Sequence, residues 1–194
     1  MKYHNKTQKN KIKSKKPKYV FTYTDYNSGD GMLTTVWGPG LWHYLHTMSF
    51  NYPNKPTKSD KKNYKDFMIS LKNVLPCGKC RENLKKNYKQ LPLKMENMKN
   101  RETFSKYVYN LHELINKMLN KKSGLTYEEV RERYEHFRSR CTTEIKNKTM
   151  KKKETGCVNS LYGEKSKCVL QILPQKTKCE SLQIDDKCIK KKFI

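Results

Sequence analysis

The sequence predicts an all-α protein in which helices pack as an antiparallel bundle. Two observations predict this class. From Trp37 to about Arg140, apolar residues recur at intervals of three and four, and no stretch keeps the alternation of a strand. Short turn-forming segments separate the apolar runs, and helices joined by short loops pack as antiparallel neighbours. Five helices are expected.

The first two helices are predicted from their apolar stripes and from the residues that bound them. The first covers roughly residues 38–51, and the prolines of NYPNKP end it, because proline cannot donate the next backbone hydrogen bond. The second covers roughly residues 59–74 and begins near Ser59 or Asp60 as a capping residue. Their expected buried side chains are Leu41, Leu45 and Met48, then Tyr64, Phe67, Met68 and Leu71.

Three further helices are expected after the second. A short helix begins at Pro76, whose fixed φ suits the first helical position, and runs to about Tyr88. The fourth, RETFSKYVYNLHELINKML, has the clearest pattern, because its apolar residues step by four, three, four and three. The fifth opens at TYEE, where Thr126 and Glu129 fit a capping box.

The chain is expected to have three parts. Residues 1–33 are rich in Lys and Asn and include the turn-forming NSGDG, which predicts a flexible basic arm. Residues 34–141 hold the helices. Residues 142–194 form a Cys- and Lys-rich extension, where CVNSLYGEKSKCVLQILP places a glycine-containing turn between two short segments and predicts a small hairpin.

The formal net charge of +25 is typical of proteins that bind nucleic acid or acidic surfaces, since Lys and Arg release counterions from phosphates. Only six of the 43 basic residues are Arg, the side chain that pairs bidentately with bases and phosphates. We therefore expect any nucleic-acid binding to be non-specific. A basic nucleic-acid- or virion-binding structural protein, with structural cysteines, stays open as the alternative function.

The hydropathy and the cysteine content predict the compartment. No apolar run approaches the ~20 residues that span a bilayer, and the N-terminus lacks the apolar stretch of a signal peptide. A soluble protein made in the cytosol, with no membrane segment, is expected. Seven cysteines in such a protein are typical of metal binding or redox chemistry, because the cytosol keeps thiols reduced.

A Cys-x-x-Cys pair, Cys77 and Cys80, stands at the expected start of the third helix. Exposed N–H groups there favour a thiolate, and the spacing puts both sulfurs on one face within bridging distance. This geometry suits a reversible disulfide. Three alternatives stay open: a zinc site, for which a second such pair is missing; a thioredoxin-like motif, which follows a strand; and a structural bridge.

A second pattern combines an aromatic residue, a glycine and polar side chains. Gly38, Trp42 and His46 recur at intervals of four on the first helix, and His112 and Asn116 are one turn apart on the fourth. A flat aromatic side chain, a glycine that allows close approach and polar donors are what a buried planar cofactor needs.

Four segments, WGPGLWHYLHTMSFNYPNKPT, PCGKC, FSKYVYNLHELINKML and YEEVRERY, follow one another in this order. Together they resemble the FAD-linked sulfhydryl oxidases of the Erv/ALR family, and Trp-Gly-Pro is most similar to members encoded by large DNA viruses. The resemblance covers roughly residues 36–140. It implies a four-helix bundle with a fifth helix across it, FAD held inside, and often a homodimer.

The resemblance also implies a reaction. Two electrons would pass from substrate thiols to the cysteine pair, to FAD and to O2, giving a disulfide and hydrogen peroxide. Cys77 would form the mixed disulfide and Cys80 would lie against the flavin. The implied partners are thiol-containing proteins, such as viral proteins or a thioredoxin-like carrier, and the implied location is the host cytoplasm or the virion. The positions that match flavin contacts are Gly38, Trp42, His46, His112, Asn116, Leu119, Lys121 and Tyr134; no metal ligand is implied.

The chain departs from the family pattern at several positions. Glu113 stands where the family commonly has Asn, and Leu75 where it has an aromatic residue before the cysteine pair. Many relatives join cysteines at the position of Tyr109 and near Tyr127. The extension supplies cysteines for a shuttle that relays electrons from bulky substrates, or for a structural bridge. The candidate pairs are Cys157/Cys168 and Cys179/Cys188, and Cys141 could join either.

Overall fold

The structure of the protein, a computed structural model, describes residues 20–142, 156–178, 180 and 182–189, without the side chains of residues 140–142. Backbone contacts divide the chain into two units at Asp30 and Gly31. Its α-helices are α1 (Tyr23–Tyr26), α2 (Thr34–Phe50), α3 (Lys58–Val74), α4 (Gly78–Gln90), α5 (Arg101–Met118) and α6 (Tyr127–Glu135). Two strands, β1 (Ser139–Thr142) and β2 (Gly156–Ser160), and two 3-10 turns, Met95–Met98 and Asp186–Cys188, complete the described elements.

The helices α2 to α5 enclose one hydrophobic core, with α2 packed on α5 and α3 on α4, while α6 packs on α2. The predicted all-α bundle with a fifth helix is confirmed. Apolar burial drives this packing, at roughly 1.5–3 kcal/mol for each fully buried large side chain. The side chains that are almost fully buried include Leu45, Met68, Met98, Phe104, Val108 and Leu111. No helix in the described part of the chain is both long and apolar enough to cross a membrane.

Capping boxes set the start of several helices, α3 and α6 among them. At α6 the prediction is confirmed, since Glu129 donates its N–H to Thr126 Oγ1 at 3.3 Å and Thr126 donates its N–H to Glu129 Oε2 at 2.7 Å. At α3 the predicted caps, Ser59 and Asp60, are wrong. Thr57 is the cap and Asp60 is its partner three residues later, because Asp60 accepts the Thr57 N–H at 2.8 Å.

The predicted starts of α2 and α4 also differ from the structure. α2 begins four residues earlier than expected, at Thr34, and contains Pro39 inside it at the loss of one ladder hydrogen bond. α4 begins at Gly78 rather than at Pro76. The reason is that Cys77 caps it, with its sulfur accepting the Cys80 N–H at 3.2 Å, which leaves Pro76 outside the helix.

The structure places one helix in the N-terminal arm that the sequence analysis did not predict. Thr22 and Asp25 form a capping box around α1, with Thr22 donating its N–H to Asp25 Oδ2 at 2.9 Å. Residues 20–22 and 27–33 are outside any regular element. The described part of the arm, residues 20–33, therefore holds a capped turn of helix.

The hairpin predicted within residues 157–174 is wrong. β2 pairs antiparallel with β1, which precedes it, and the register places Ser139 opposite Ser160. Gly163 does not turn the chain back onto β2. A Cβ there would lie 2.7 Å from the Lys187 carbonyl oxygen, so Gly163 instead allows a close approach to the backbone at residues 187–188.

Candidate redox site

The cysteine pair forms a disulfide at the start of α4. Cys77 and Cys80 are bonded, with their Cα atoms 5.2 Å apart, and both residues are half-buried. The bridging geometry expected from the spacing is thus present. No group of three or more His, Cys, Asp or Glu side chains is arranged to hold a metal ion anywhere in the described residues.

The chain that enters α2 lies against this disulfide. Met32 donates its N–H to the Pro76 carbonyl at 2.9 Å, and Trp37 Nε1 donates to the Met32 carbonyl at 3.0 Å. Thr34, the first residue of α2, places its Oγ1 3.5 Å from Cys80 Sγ. A backbone hydrogen bond from Met32, itself contacted by the Trp37 side chain, therefore holds the start of α2 beside the sulfurs.

Further along α2, a cluster of rings brings three helices together. Trp42 stacks on His112 of α5 with 3.8 Å between ring centroids and 7° between ring planes. The ring centroid of His46 lies 5.3 Å from that of His112 and 5.3 Å from that of Tyr134 in α6. The structure thus brings together four of the residues singled out in the sequence, and α2 connects their cluster to the disulfide.

The two histidines of this cluster are hydrogen-bonded and neutral. His46 Nε2 and His112 Nδ1 are 3.0 Å apart, and the tautomers decide which of them donates. Burial, together with the neighbouring His112 and His43, lowers the pKa of His46 to about 3. Burial also lowers the pKa of His112 to about 4, opposed by Glu113 and assisted by Lys121. The cluster therefore presents uncharged imidazoles at neutral pH.

One buried atom of the cluster lacks a partner among the described residues. His46 Nδ1 is enclosed and has no hydrogen bond there. Leaving such a group unsatisfied costs about 1–3 kcal/mol, which a bound group could remove. Gly38, one to two turns before Trp42 and His46, is buried and offers bare backbone. Flat rings, a glycine and an unsatisfied nitrogen fit a planar heteroaromatic cofactor such as a flavin.

The remaining expected cofactor contacts lie at or beyond the end of α5. Asn116 is half-buried and donates its side-chain amide to Glu113 Oε1 at 3.0 Å. Lys121 is exposed and donates its N–H to the Asn116 carbonyl at 2.8 Å, and Leu119 is 48% exposed. Leu75, which replaces an aromatic residue, is buried in the core of the bundle.

Sequence reasoning missed three members of the ring cluster. The Tyr134 hydroxyl lies 3.4 Å from His43 Nδ1, and the Phe50 ring lies 5.4 Å from the Tyr134 ring. Phe137 packs edge-on against Tyr134 at 5.8 Å. Phe50 could have been found, because it is one helical turn after His46 on the same helix. Phe137 also carried a signal, since the predicted fifth helix places it three residues after Tyr134, whereas His43 carried none.

The cysteines of the extension are in two states. Cys157 is disulfide-bonded, whereas Cys168 and Cys188 are free thiols. Neither candidate pair, Cys157/Cys168 or Cys179/Cys188, is therefore bonded in this structure. Cys179 and the side chain of Cys141 lie outside the described residues.

Comparison with known proteins points to one family. A model of the Erv1 / Alr family matches residues 39–135, which is half of the chain. A probable FAD-linked sulfhydryl oxidase of Acanthamoeba polyphaga mimivirus is 38% identical over 104 residues, which cover 54% of this chain and 72% of that protein. An FAD-linked sulfhydryl oxidase of African swine fever virus (isolate Pig/Kenya/KEN-50/1950) is 28% identical over 99 residues, covering 51% and 80%.

A plant protein and a yeast structure are also similar to this chain. An FAD-linked sulfhydryl oxidase of Arabidopsis thaliana is 32% identical over 84 residues, which cover 43% of this chain and 42% of the plant protein. The crystal structure of the yeast Erv1 core matches with a TM-score of 0.48 and 23% identity, covering 56% of this chain and 89% of that one. The family match and the mimivirus relative, rather than this looser likeness, support the assignment.

Proposed function

The chain belongs to the Erv1 / Alr family and is an FAD-linked sulfhydryl oxidase. From this premise we propose which of its residues carry out the thiol exchange and which bind the flavin. Cys77 and Cys80 are the redox pair. The observation that supports this is their disulfide at the start of α4, joined through α2 to a cluster of rings with an unsatisfied buried nitrogen. FAD, when bound, accepts the two electrons of the reduced pair and passes them to oxygen.

The cysteines exchange disulfides with a thiol substrate in two steps. A substrate thiolate attacks the Cys77 sulfur, the Cys77–Cys80 bond breaks, and Cys80 leaves as a thiolate. A second substrate thiolate then attacks the mixed disulfide, which oxidises the substrate to a disulfide and releases Cys77. The Cys80 role is supported by the contact of its sulfur with Thr34 at the start of α2, the helix that carries the rings.

The ring cluster is the proposed flavin site. Trp42 and His112 supply flat surfaces, and His46 Nδ1 supplies an unsatisfied hydrogen-bonding atom. Because both imidazoles are neutral, they can bond polar edges of a cofactor without placing a positive charge in the core. The further proposed contacts are Gly38, Asn116, Leu119, Lys121 and Tyr134.

The proposed substrates are thiol-containing proteins, with oxygen as the electron acceptor and a homodimer as the working form. The viral relatives support action in the cytoplasm of a host cell or in the virion. The alternative of a structural nucleic-acid-binding protein is not favoured, because the family match and a disulfide connected through α2 to a cluster of rings do not fit it. Nucleic-acid contact, if made, follows from the charge of +25 and is non-specific.

The test of these roles uses the full chain. The purified protein is expected to be yellow, and its visible absorbance should bleach with dithiothreitol and return under air. Cys80→Ser should keep the colour, which shows an intact flavin site, and lose oxygen consumption with dithiothreitol. A colourless wild-type protein, or a Cys80→Ser variant that still consumes oxygen, would contradict the proposal.

A further inference from the structure

We propose that Thr34 is a positioning residue for the oxidase reaction: in the reduced enzyme its hydroxyl donates a hydrogen bond to the Cys80 sulfur and holds that sulfur as a thiolate. The proposal rests on the role given above to Cys80. It concerns a side chain 46 residues away in the sequence, outside the cysteine motif, the ring cluster and the residues matched to the family.

Geometry supplies the first support. Thr34 Oγ1 is 3.5 Å from Cys80 Sγ, within hydrogen-bonding range for a sulfur atom. Thr34 is β-branched, so its hydroxyl has few positions available on a helix. The Met32 hydrogen bonds to Pro76 and Trp37 fix the chain two residues before it. The hydroxyl therefore meets the sulfur in a held position.

Electrostatics supplies the second support. Thr34 is the first residue of α2, a helix of 17 residues whose N-terminal N–H groups make that end positive. Its N-cap residue, Leu33, provides no side-chain hydrogen bond, and the first turn contains no acidic residue. A negatively charged sulfur at this end would interact favourably with the N-terminal N–H groups of α2, which no side chain caps. The start of α2 thus faces Cys80, whereas the start of α4 is capped by the Cys77 sulfur.

The charged groups around Cys80 do not replace this contact. On α4, Lys79 pairs with Glu82 at 3.6 Å, and Arg81 donates to the Leu75 carbonyl at 2.5 Å. On the other side, residues 31–42 carry no ionisable side chain. Within the described residues, Thr34 is therefore the polar side chain that α2 offers to the sulfur.

Thr34 acts at the step in which a dithiol substrate reduces the Cys77–Cys80 disulfide. A dithiol substrate gives up two electrons and two protons, and its sulfurs join as a disulfide. The Cys77–Cys80 bond breaks and takes the two electrons. One proton stays on the Cys77 sulfur, and the other passes to solvent, so that Cys80 is left as a thiolate. Hydrogen bonding to a charged acceptor is stronger than to a neutral one, which is why the contact favours this state.

The test measures the Cys80 thiolate directly in the flavin-loaded full chain. Cys77→Ser leaves Cys80 unpaired, and its alkylation by iodoacetamide is followed by peptide mass spectrometry from pH 5 to pH 10. Adding Thr34→Val should raise the pH of half-maximal alkylation by about one unit, equal to tenfold less thiolate below the midpoint. Thr34→Ser keeps the hydroxyl, so it should shift the midpoint by no more than about a third of the shift that Thr34→Val causes.

Thr35→Val is the matched control, because Thr35 is the next residue, is exposed like Thr34, and makes no side-chain hydrogen bond among the described residues. Its midpoint should equal that of the Cys77→Ser parent. With Cys77 intact, Thr34→Val should also move the pH profile of kcat for dithiothreitol oxidation upward by a similar amount. If circular dichroism shows that Thr34→Val has lost helix content, Thr34→Ala replaces it in the comparison of alkylation midpoints.

Two results would overturn the proposal: an unchanged midpoint in Thr34→Val, or an equal shift in Thr34→Val and Thr34→Ser. The first means that the hydroxyl does not reach the thiolate, and the second that the effect is packing. Cys80→Ser separates these failures from a failure of the proposed function. If Cys80→Ser is inactive while the Thr34 midpoints do not move, only the role of Thr34 is lost.

Discussion

Tyr109 and Tyr127 pack edge to face, with 5.9 Å between their ring centroids and 67° between their planes. Tyr109 donates its hydroxyl to the Leu125 carbonyl at 2.7 Å, and the Tyr127 hydroxyl lies 2.8 Å from Ser105 Oγ. At these positions the family resemblance implies a structural disulfide in many relatives. In this chain an aromatic pair and its hydrogen bonds connect α5 to the start of α6.

We expect Tyr127→Ala to destabilise the protein by about 3–5 kcal/mol, the range for removing a large buried aromatic side chain. Tyr127 is buried and packs with Phe50 and Val130 as well as with Tyr109. Tyr127→Phe keeps the ring and should cost only about 1 kcal/mol, for the lost hydrogen bond. Urea unfolding of the three proteins measures the difference. Equal losses in both variants would mean that the hydroxyl, rather than the ring contact, holds α6.

Gly31→Ala should destabilise the chain by about 1–3 kcal/mol, as overpacking does. A Cβ at Gly31 would lie 2.8 Å from the Pro76 carbonyl oxygen and 3.3 Å from Cys77 Cα. Gly29→Ala is the control, since a Cβ there meets nothing within 4 Å. Denaturant midpoints of both variants test the expectation, and a Gly31→Ala protein as stable as Gly29→Ala would contradict it.

The histidine pair predicts how stability depends on pH. Each imidazole has a folded-state pKa well below that of an unfolded chain, about 6.5, with values of about 3 for His46 and about 4 for His112. The unfolded state therefore binds more protons as the pH falls below 6.5, and stability declines from there towards pH 4. Between pH 7.5 and pH 5 the loss should be roughly 2 kcal/mol for each histidine.

Urea unfolding at these two pH values checks this linkage. The double variant His46→Gln, His112→Gln removes both imidazoles and should show a smaller loss of stability on acidification than the wild-type protein. A wild-type protein equally stable at pH 7.5 and pH 5 would show that these imidazoles are not held neutral in the folded state.

Trp42→Ala should weaken flavin retention on the order of tenfold, the scale of one lost aromatic stacking contact. The readout is the ratio of flavin absorbance to protein after extensive dialysis. Tyr44→Ala serves as the control, because Tyr44 is on the same helix but 54% exposed and packs on Phe67 instead. Equal flavin content in the two variants would remove Trp42 from the proposed site.

The free thiols of the extension predict a dependence on substrate size. Cys168→Ser combined with Cys188→Ser should not change oxidation of dithiothreitol, which reaches Cys77 directly. Oxidation of a reduced, unfolded protein should slow severalfold if these cysteines relay its electrons. Unchanged rates with both substrates would leave the extension with a structural role alone. Oxygen consumption with each substrate measures the two rates.

The features predicted well from the sequence are those that depend on nearby residues. The Thr126 and Glu129 capping box joins residues three apart, and the Gly38, Trp42, His46 stripe follows from the helical period. The bundle follows from the apolar spacing and from the resemblance. The Cys77–Cys80 disulfide likewise joins residues three apart, so its geometry could be expected before its surroundings were known.

The features missed or predicted wrongly depend on residues distant in sequence. β2 pairs with β1 rather than with the segment after Gly163, because that glycine closes on the backbone of residues 187–188. Thr34 and Cys80 are 46 residues apart, and His43 and Tyr134 are 91 apart. Such contacts are set by how helices pack in three dimensions, which local propensity does not specify.

Thr34 and Trp42 are eight residues apart on one unbroken helix, so the rise of α2 separates them by about 12 Å. The sulfur end and the ring end of the site are thereby held at a span fixed by backbone geometry instead of by a loop. Thermal motion of loops therefore changes the distance between Thr34 and Trp42 very little. Pro39, which lies between Thr34 and Trp42, is the point at which α2 bends most readily. A substitution that changes the bend of α2 there would alter both the thiol chemistry and the retention of the cofactor.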